Sequence, residues 1–123
     1  MSRDYRLYLD DIQEACEKIL RYTDGLGFDE FVTDDKTFDA VVRNLEIIGE
    51  AAKHIPPEMR EHYPNIKWAK IAGLRDIVAH EYFGLDIEIL WDIVQNHVPE
   101  LLDNIQEVMR QKDLSTGSEK GTP

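Results

Sequence analysis

The chain has one cysteine, Cys16, in 123 residues. An intramolecular disulfide framework is therefore excluded, which fits a reducing compartment. Long apolar runs are missing too. Nothing approaches the ~20 residues that a membrane span needs. The stretch from Met1 to Asp11 is charged and has no apolar core of the secretory kind. Basic residues are scarce, 14 against 25 acidic ones, for a formal net charge of −11. That balance argues against broad, sequence-independent binding of nucleic acid and disfavours a DNA-reading helix-turn-helix. A basic pocket would have to be built from few residues, or from two chains meeting. The expectation is a soluble cytoplasmic protein with neither a membrane nor DNA as partner.

Other chemistries are also short of parts. His54, His62, His80 and His97 form no recognised ligand pair with each other or with the cysteine, so no metal is expected. Cys16 falls on an apolar stripe, as an inert buried thiol does. Gly25-Leu26-Gly27 is too short for a phosphate loop and follows a helix, not a strand. No cofactor is implied. There is no internal repeat, and no run alternates as a strand would.

What is present is helical periodicity. Tyr5, Tyr8, Leu9, Ile12, Ala15, Cys16, Ile19 and Leu20 recur at three- and four-residue intervals, giving a first helix from Asp4 to Gly25 with Ser2 as a possible cap. Phe28 and Phe31 pin a short connection to the core, and Thr33 or Asp34 caps the next helix. This second helix, Asp35 to Ile55, carries Phe38, Val41, Val42, Leu45, Ile48, Ala52 and Ile55 on one stripe. Gly49 sits inside it, at a cost of about 1 kcal/mol relative to alanine. Close packing against another helix is the plain reason for it. Pro56-Pro57 stops the helix. A loop or short irregular helix, broken again at Pro64-Asn65, leads to a third helix from Trp68 to Phe83. Trp68, Ile71, Leu74 and Val78 face inward there, and Gly84 caps the end. Asp86 opens a fourth helix that runs to Arg110, with a kink or break at Pro99. Residues 113–123 are polar and are expected to form a disordered tail, leaving a single domain over residues 1–112. The class is all-α, an antiparallel bundle of four to five helices with short connections.

One stretch does not read as scaffold. Arg75-Asp76-Ile77-Val78-Ala79-His80-Glu81-Tyr82 places an arginine, a histidine and a tyrosine where packing alone would be served by leucine. Such residues suit metal-free cleavage of a phosphodiester. His80 can act as general base or acid near neutral pH. The Arg75 guanidinium fits phosphate oxygens and the charge that develops on them. RNA carries its own nucleophile, the 2′-hydroxyl, and Tyr82 can hydrogen-bond or stack with a base. The plainer reading pairs Arg75 with Asp76 or Glu81 and leaves His80 as a helix cap. At about 100° per residue, Arg75 and His80 point roughly 140° apart on a regular helix. They meet only if the helix unwinds before Gly84, or if the stretch meets its own copy across a two-fold axis.

At these residues the chain resembles the HepT-like toxins of the HEPN superfamily. The resemblance rests on Arg75, His80 and Tyr82 at their spacing and on Arg43-Asn44-Leu45-Glu46-Ile47-Ile48-Gly49-Glu50-Ala51 in the preceding helix. It rests also on Pro64-Asn65-Ile66-Lys67-Trp68 before the motif helix, and it spans roughly residues 5–110. The resemblance implies a HEPN-like helical bundle acting as a symmetric homodimer, with the Arg and His of both chains lining a cleft at the interface. It implies a metal-independent endoribonuclease acting as a toxin, with Arg75 and His80 catalytic. Asn44, Glu50 and Asp76 would be supporting polar residues of the cleft. The implied partner is an MntA-like nucleotidyltransferase antitoxin that silences the toxin by adenylylating Tyr82. The competing expectation is a non-catalytic module whose cleft holds a nucleotide or the partner.

Overall fold

The computed structural model describes the backbone of residues 4–81 and 87–120, and the side chains of these except 79–81 and 112–120. The fold is all-α, an antiparallel helical bundle, with no strand among the described residues.

Helix α1 is Tyr5–Thr23. Its cap is Asp4, whose carboxylate accepts the Arg6 N–H at 2.9 Å, while Ser2 lies outside the described residues. The apolar stripe buries Leu9, Ile12, Ala15, Cys16 and Ile19. Gly25, at φ 78°, turns the chain after α1 in the left-handed region that favours glycine. Helix α2, Phe28–Thr33, sets Phe31 fully inside, 5.5 Å from the Phe38 ring and 5.0 Å from that of Trp91.

Helix α3, Asp35–Lys53, is the centre of the bundle. Asp34 caps it, accepting from the Thr37 N–H at 3.2 Å and the Thr37 hydroxyl at 2.8 Å. These hydrogen bonds stabilise the ionised carboxyl and hold it below the ordinary carboxylate range. Val41, Val42, Leu45, Ile48 and Ala52 are buried from it. Carbonyls at and just past its end, before the Pro56-Pro57 stop, are met by Arg60 of α4, Pro57–His62. That guanidinium donates to Ala52 O at 2.7 Å and Ile55 O at 3.0 Å.

The expected third helix is two pieces, α5 (Trp68–Ala72) and α6 (Leu74–Glu81), hinged at Gly73. The Gly73 N–H donates to Ala69 O and the Ile77 N–H donates to Gly73 O, so the bonding carries across the hinge and the apolar spacing hardly registers it. Gly84 and Asp86 lie outside the described residues. Helix α7, Ile87–Asp92, passes into a π-helical turn, Ile93–His97, and then into α8, Val98–Lys120. The irregularity expected at Pro99 is this wide turn. Proline lacks an N–H and its ring crowds the carbonyl four residues back, so the preceding turn opens. Helix α8 extends to Lys120, and residues 121–123 lie outside the described residues.

Helix α3 packs against α1 and against α5 and α6, and α1 packs in turn against α8. Among the described residues no helix is long and apolar enough to cross a membrane.

Candidate functional site

The site is set by how closely α6 approaches α3. A Cβ built on Gly49 would fall 2.8 Å from the Arg75 backbone nitrogen, 3.2 Å from Arg75 Cβ and 3.3 Å from Ala72 O. Only glycine admits this contact. It seats the start of α6, and with it Arg75, directly on α3.

Arg75 then has a partner that no local spacing offered. Its Nη1 donates to Glu50 Oε2 at 2.7 Å, whereas the in-helix reading had offered Asp76 or Glu81. Both side chains are about half exposed, 53% and 50%, so the pair contributes little to stability, on the order of 0–1 kcal/mol. Its consequence is orientation: the guanidinium is held at the mouth of a cleft. One turn along α3, His54 Nε2 lies 3.6 Å from Glu50 Oε1. The His54 ring stacks on that of Tyr8, with centroids 4.6 Å apart and planes 13° from parallel. Arg43 and Glu46, 3.7 Å apart, continue the same face. With Asp11 they enclose a cleft of about 360 Å³ between α1, α3 and α6.

The residues singled out from sequence are thus placed unevenly. Arg75 and Glu50 come together and line the cleft. Asn44 does not line it. Its side chain is 7% exposed and its amide donates to Ala40 O at 2.8 Å within its own helix. Asp76 is exposed on α6, outside the cleft lining. His80 belongs to α6 by its backbone, but its side chain lies outside the described residues, as does Tyr82 altogether. Helix α6 is continuous through Glu81. The backbone does not unwind between positions 75 and 80.

Sequence reasoning missed Tyr8, assigned simply to the apolar stripe, and His54, weighed only as a metal ligand. A signal for His54 existed, since Arg43, Glu46, Glu50 and His54 recur every three or four residues and so share a helix face. Cys16 is fully buried, and burial pushes its thiol up to about 12, so it offers no thiolate for chemistry near neutrality. Among the described residues no group of three or more His, Cys, Asp or Glu is placed to hold a metal ion.

Comparison with known proteins supplies the remaining findings. The family model described as "Ribonuclease HepT-like" matches residues 12–108. A Methanocaldococcus jannaschii protein provisionally named RNase MJ0127 is 44% identical over 109 residues, covering 89% of this chain and 90% of its own. One from Caldanaerobacter subterraneus, provisionally named RNase TTE0752, is 40% identical over 87% of this chain and 96% of its own. A Thermococcus cleftensis protein named probable ribonuclease HepT is 41% identical over 89% of this chain and all of its own length. No solved structure matches the chain.

Proposed function

The chain belongs to the HepT-like ribonuclease family, and from that premise we propose that it is a metal-independent endoribonuclease, the toxin of a toxin–antitoxin pair, working as a symmetric homodimer. The observation that carries this reading is Arg75. Its guanidinium is half exposed at a cleft and aimed by Glu50 across a contact that only Gly49 allows. Binding a phosphate is the chemistry for which such a fork is suited.

In this mechanism the RNA 2′-hydroxyl attacks the adjacent phosphorus. One His80 removes its proton, and the bond to the 5′-oxygen breaks as that oxygen takes a proton from a second imidazole. A cyclic 2′,3′-phosphate and a 5′-hydroxyl result. The second imidazole is His80 of the partner subunit. The pairing of two chains suits the spacing, because residues five apart on a regular helix are about 140° apart around its axis. Arg75 stabilises the charge that grows on the phosphate oxygens. Tyr82 stands two residues after His80 in sequence, and adenylylation there by an MntA-like nucleotidyltransferase would add bulk and a negative phosphate beside the catalytic histidine.

The test is RNA cleavage by the purified protein with EDTA present. Cleavage lost in His80→Ala and in Arg75→Ala is the expected result. Failure of the unmodified protein to cut any cellular RNA would sink the enzyme reading. For Tyr82, intact mass after co-expression with the antitoxin should show one added AMP. Full neutralisation with unchanged mass would mean that the antitoxin acts by binding alone. The non-catalytic alternative draws on one observation, that Arg75 is already neutralised by Glu50 in a chain of net charge −11. It wins if nucleotides bind in the cleft and no RNA is cut.

A further inference from the structure

Arg75 and Glu50 account for only part of the cleft. Its remaining wall carries the stacked rings of Tyr8, from α1, and His54, the residue that ends α3. These rings are not sealed in the core. The His54 side chain is 48% exposed, and both residues line the cleft. His54 thus brings a half-exposed aromatic ring to the cleft, a surface on which a planar group can stack, and every nucleobase is planar. The spacing fits as well. A single carboxylate, that of Glu50, separates the imidazole from the guanidinium, with Oε1 3.6 Å from His54 Nε2 and Oε2 2.7 Å from Arg75 Nη1. A phosphate on Arg75 and a ring on His54 would stand apart by about the reach from phosphate to base within one nucleotide. The cleft, about 360 Å³, is in the size range of small-molecule pockets.

We propose that Tyr8 and His54 form a base-stacking subsite for the nucleotide whose phosphate Arg75 holds; this rests on the phosphate-binding role given to Arg75 above. The subsite also has a preference. The carboxylates of Asp11 and Glu46, on the same cleft, accept hydrogen bonds and have none to donate. They favour a base edge that carries an exocyclic amino group, with two hydrogens to donate, over one that offers a single imide N–H. Adenine and cytosine are therefore preferred over uracil.

The experiment is equilibrium binding of short 2′-O-methyl oligomers of A, of C and of U to the full unmodified chain, followed by fluorescence anisotropy. These probes lack the free 2′-hydroxyl and cannot be cut, so the result does not depend on catalysis. Oligo-A and oligo-C should bind more tightly than oligo-U. Tyr8→Leu and His54→Ala should each weaken oligo-A by about tenfold, the share of one stacked base. His54→Phe, which keeps a ring in place, should restore most of that loss and so separates stacking from a merely structural role. Oligo-A affinity unchanged in His54→Ala, or equal binding of A and U, overturns the subsite and its preference respectively. If Arg75→Ala weakens every oligomer while the ring variants bind as the parent does, the phosphate role stands and the stack falls. If only the ring variants weaken binding, the stack stands and the phosphate role falls.

Discussion

Replacing Gly49 with alanine tests the contact on which the cleft depends. Two effects oppose each other. Alanine in a helix interior is favoured over glycine by about 1 kcal/mol. Against this, the new methyl would lie 2.8 Å from the backbone nitrogen of Arg75 and 3.3 Å from the carbonyl of Ala72. Neither atom can rotate away as a flexible side chain would, so α6 must lift from α3 by several tenths of an ångström. Forcing an extra methyl into a packed contact costs about 1–3 kcal/mol. The net expectation is a loss of roughly 0–2 kcal/mol, or a Tm lowered by up to about 8 °C at some 4 °C per kcal/mol. Function should suffer more than stability, because the displaced residue is Arg75 itself and its 2.7 Å bond to Glu50 sets where the guanidinium points. Misplacement by a fraction of an ångström is expected to lower RNA cleavage by about tenfold or more. Urea unfolding at one fixed protein concentration, which keeps any association constant, together with cleavage rates on the same samples, reads both. A Gly49→Ala protein that is about 1 kcal/mol more stable than the parent and cleaves RNA as fast would show that the α3–α6 contact is not tight and does not position Arg75.

Arg60→Ala should cost about 2 kcal/mol in urea unfolding, because two carbonyls at the end of α3 lose a charged donor; Arg60→Lys should not restore it, since one ammonium lacks the planar fork that reaches both. Asn44→Ala should lower stability by about 1 kcal/mol through its buried bond to Ala40 and leave the cleavage rate unchanged; a selective loss of cleavage would return Asn44 to the site. Cys16 gives a pH signature. Its thiol is held at about 12 in the fold and ionises near 8.5 in the unfolded chain. The protection is fully present below about 8.5 and is lost as pH rises towards the folded value, at up to about 1.4 kcal/mol per pH unit. Cys16→Ala should remove that slope between about pH 9 and 11, and a slope that persists means that another group carries it. Binding of uncleavable RNA should weaken only gently with salt, with a logarithmic slope near −1.4 if the two Arg75 side chains of a dimer are the phosphate contacts. A slope steeper than about −4 would reveal a basic surface elsewhere.

The parts of the fold legible in the sequence are those that a 3.6-residue period reports. The stripes of α1 and α3 are buried as read, from Leu9 to Ile19 and from Val41 to Ala52. Asp34 and Gly25 begin and end elements for the reasons their chemistry suggests. Gly73 escaped because a one-residue hinge that keeps its hydrogen bonds leaves the apolar spacing of Trp68, Ile71, Leu74 and Val78 almost intact. Pro99 announced an irregularity but not its form, since a proline's missing N–H can be absorbed by a kink, a break or a wider turn. The site divides along the same line. Gly49 announced a close approach, yet nothing local says which helix approaches. Arg75 and Glu50 are 25 residues apart, and a pairing across that distance is a product of topology. Tyr8 is the sharper case, since half-buried stripe positions serve equally as core and as cleft wall, and only the packing of α1 on α3 decides between them.

The conflict between an acidic chain and an RNA substrate becomes tractable once Glu50 is given its place. A free arginine on this surface would move among many rotamers, and its ordering would oppose binding. Tied to Glu50, the guanidinium is already aimed, and the tie is weak because both groups are half in water. A phosphate approaching with its own charge can share or displace a carboxylate held at so small a cost. The acidic surroundings then act as a filter. A long strand laid over the surface meets net repulsion from a charge of −11. Only a nucleotide that enters the cleft far enough to reach Arg75, with something further to hold its base, recovers that energy. On the proposed reading, selectivity for one gripped nucleotide over diffuse contact with the backbone follows from the scarcity of basic residues, the same scarcity that on composition alone argued against nucleic acid.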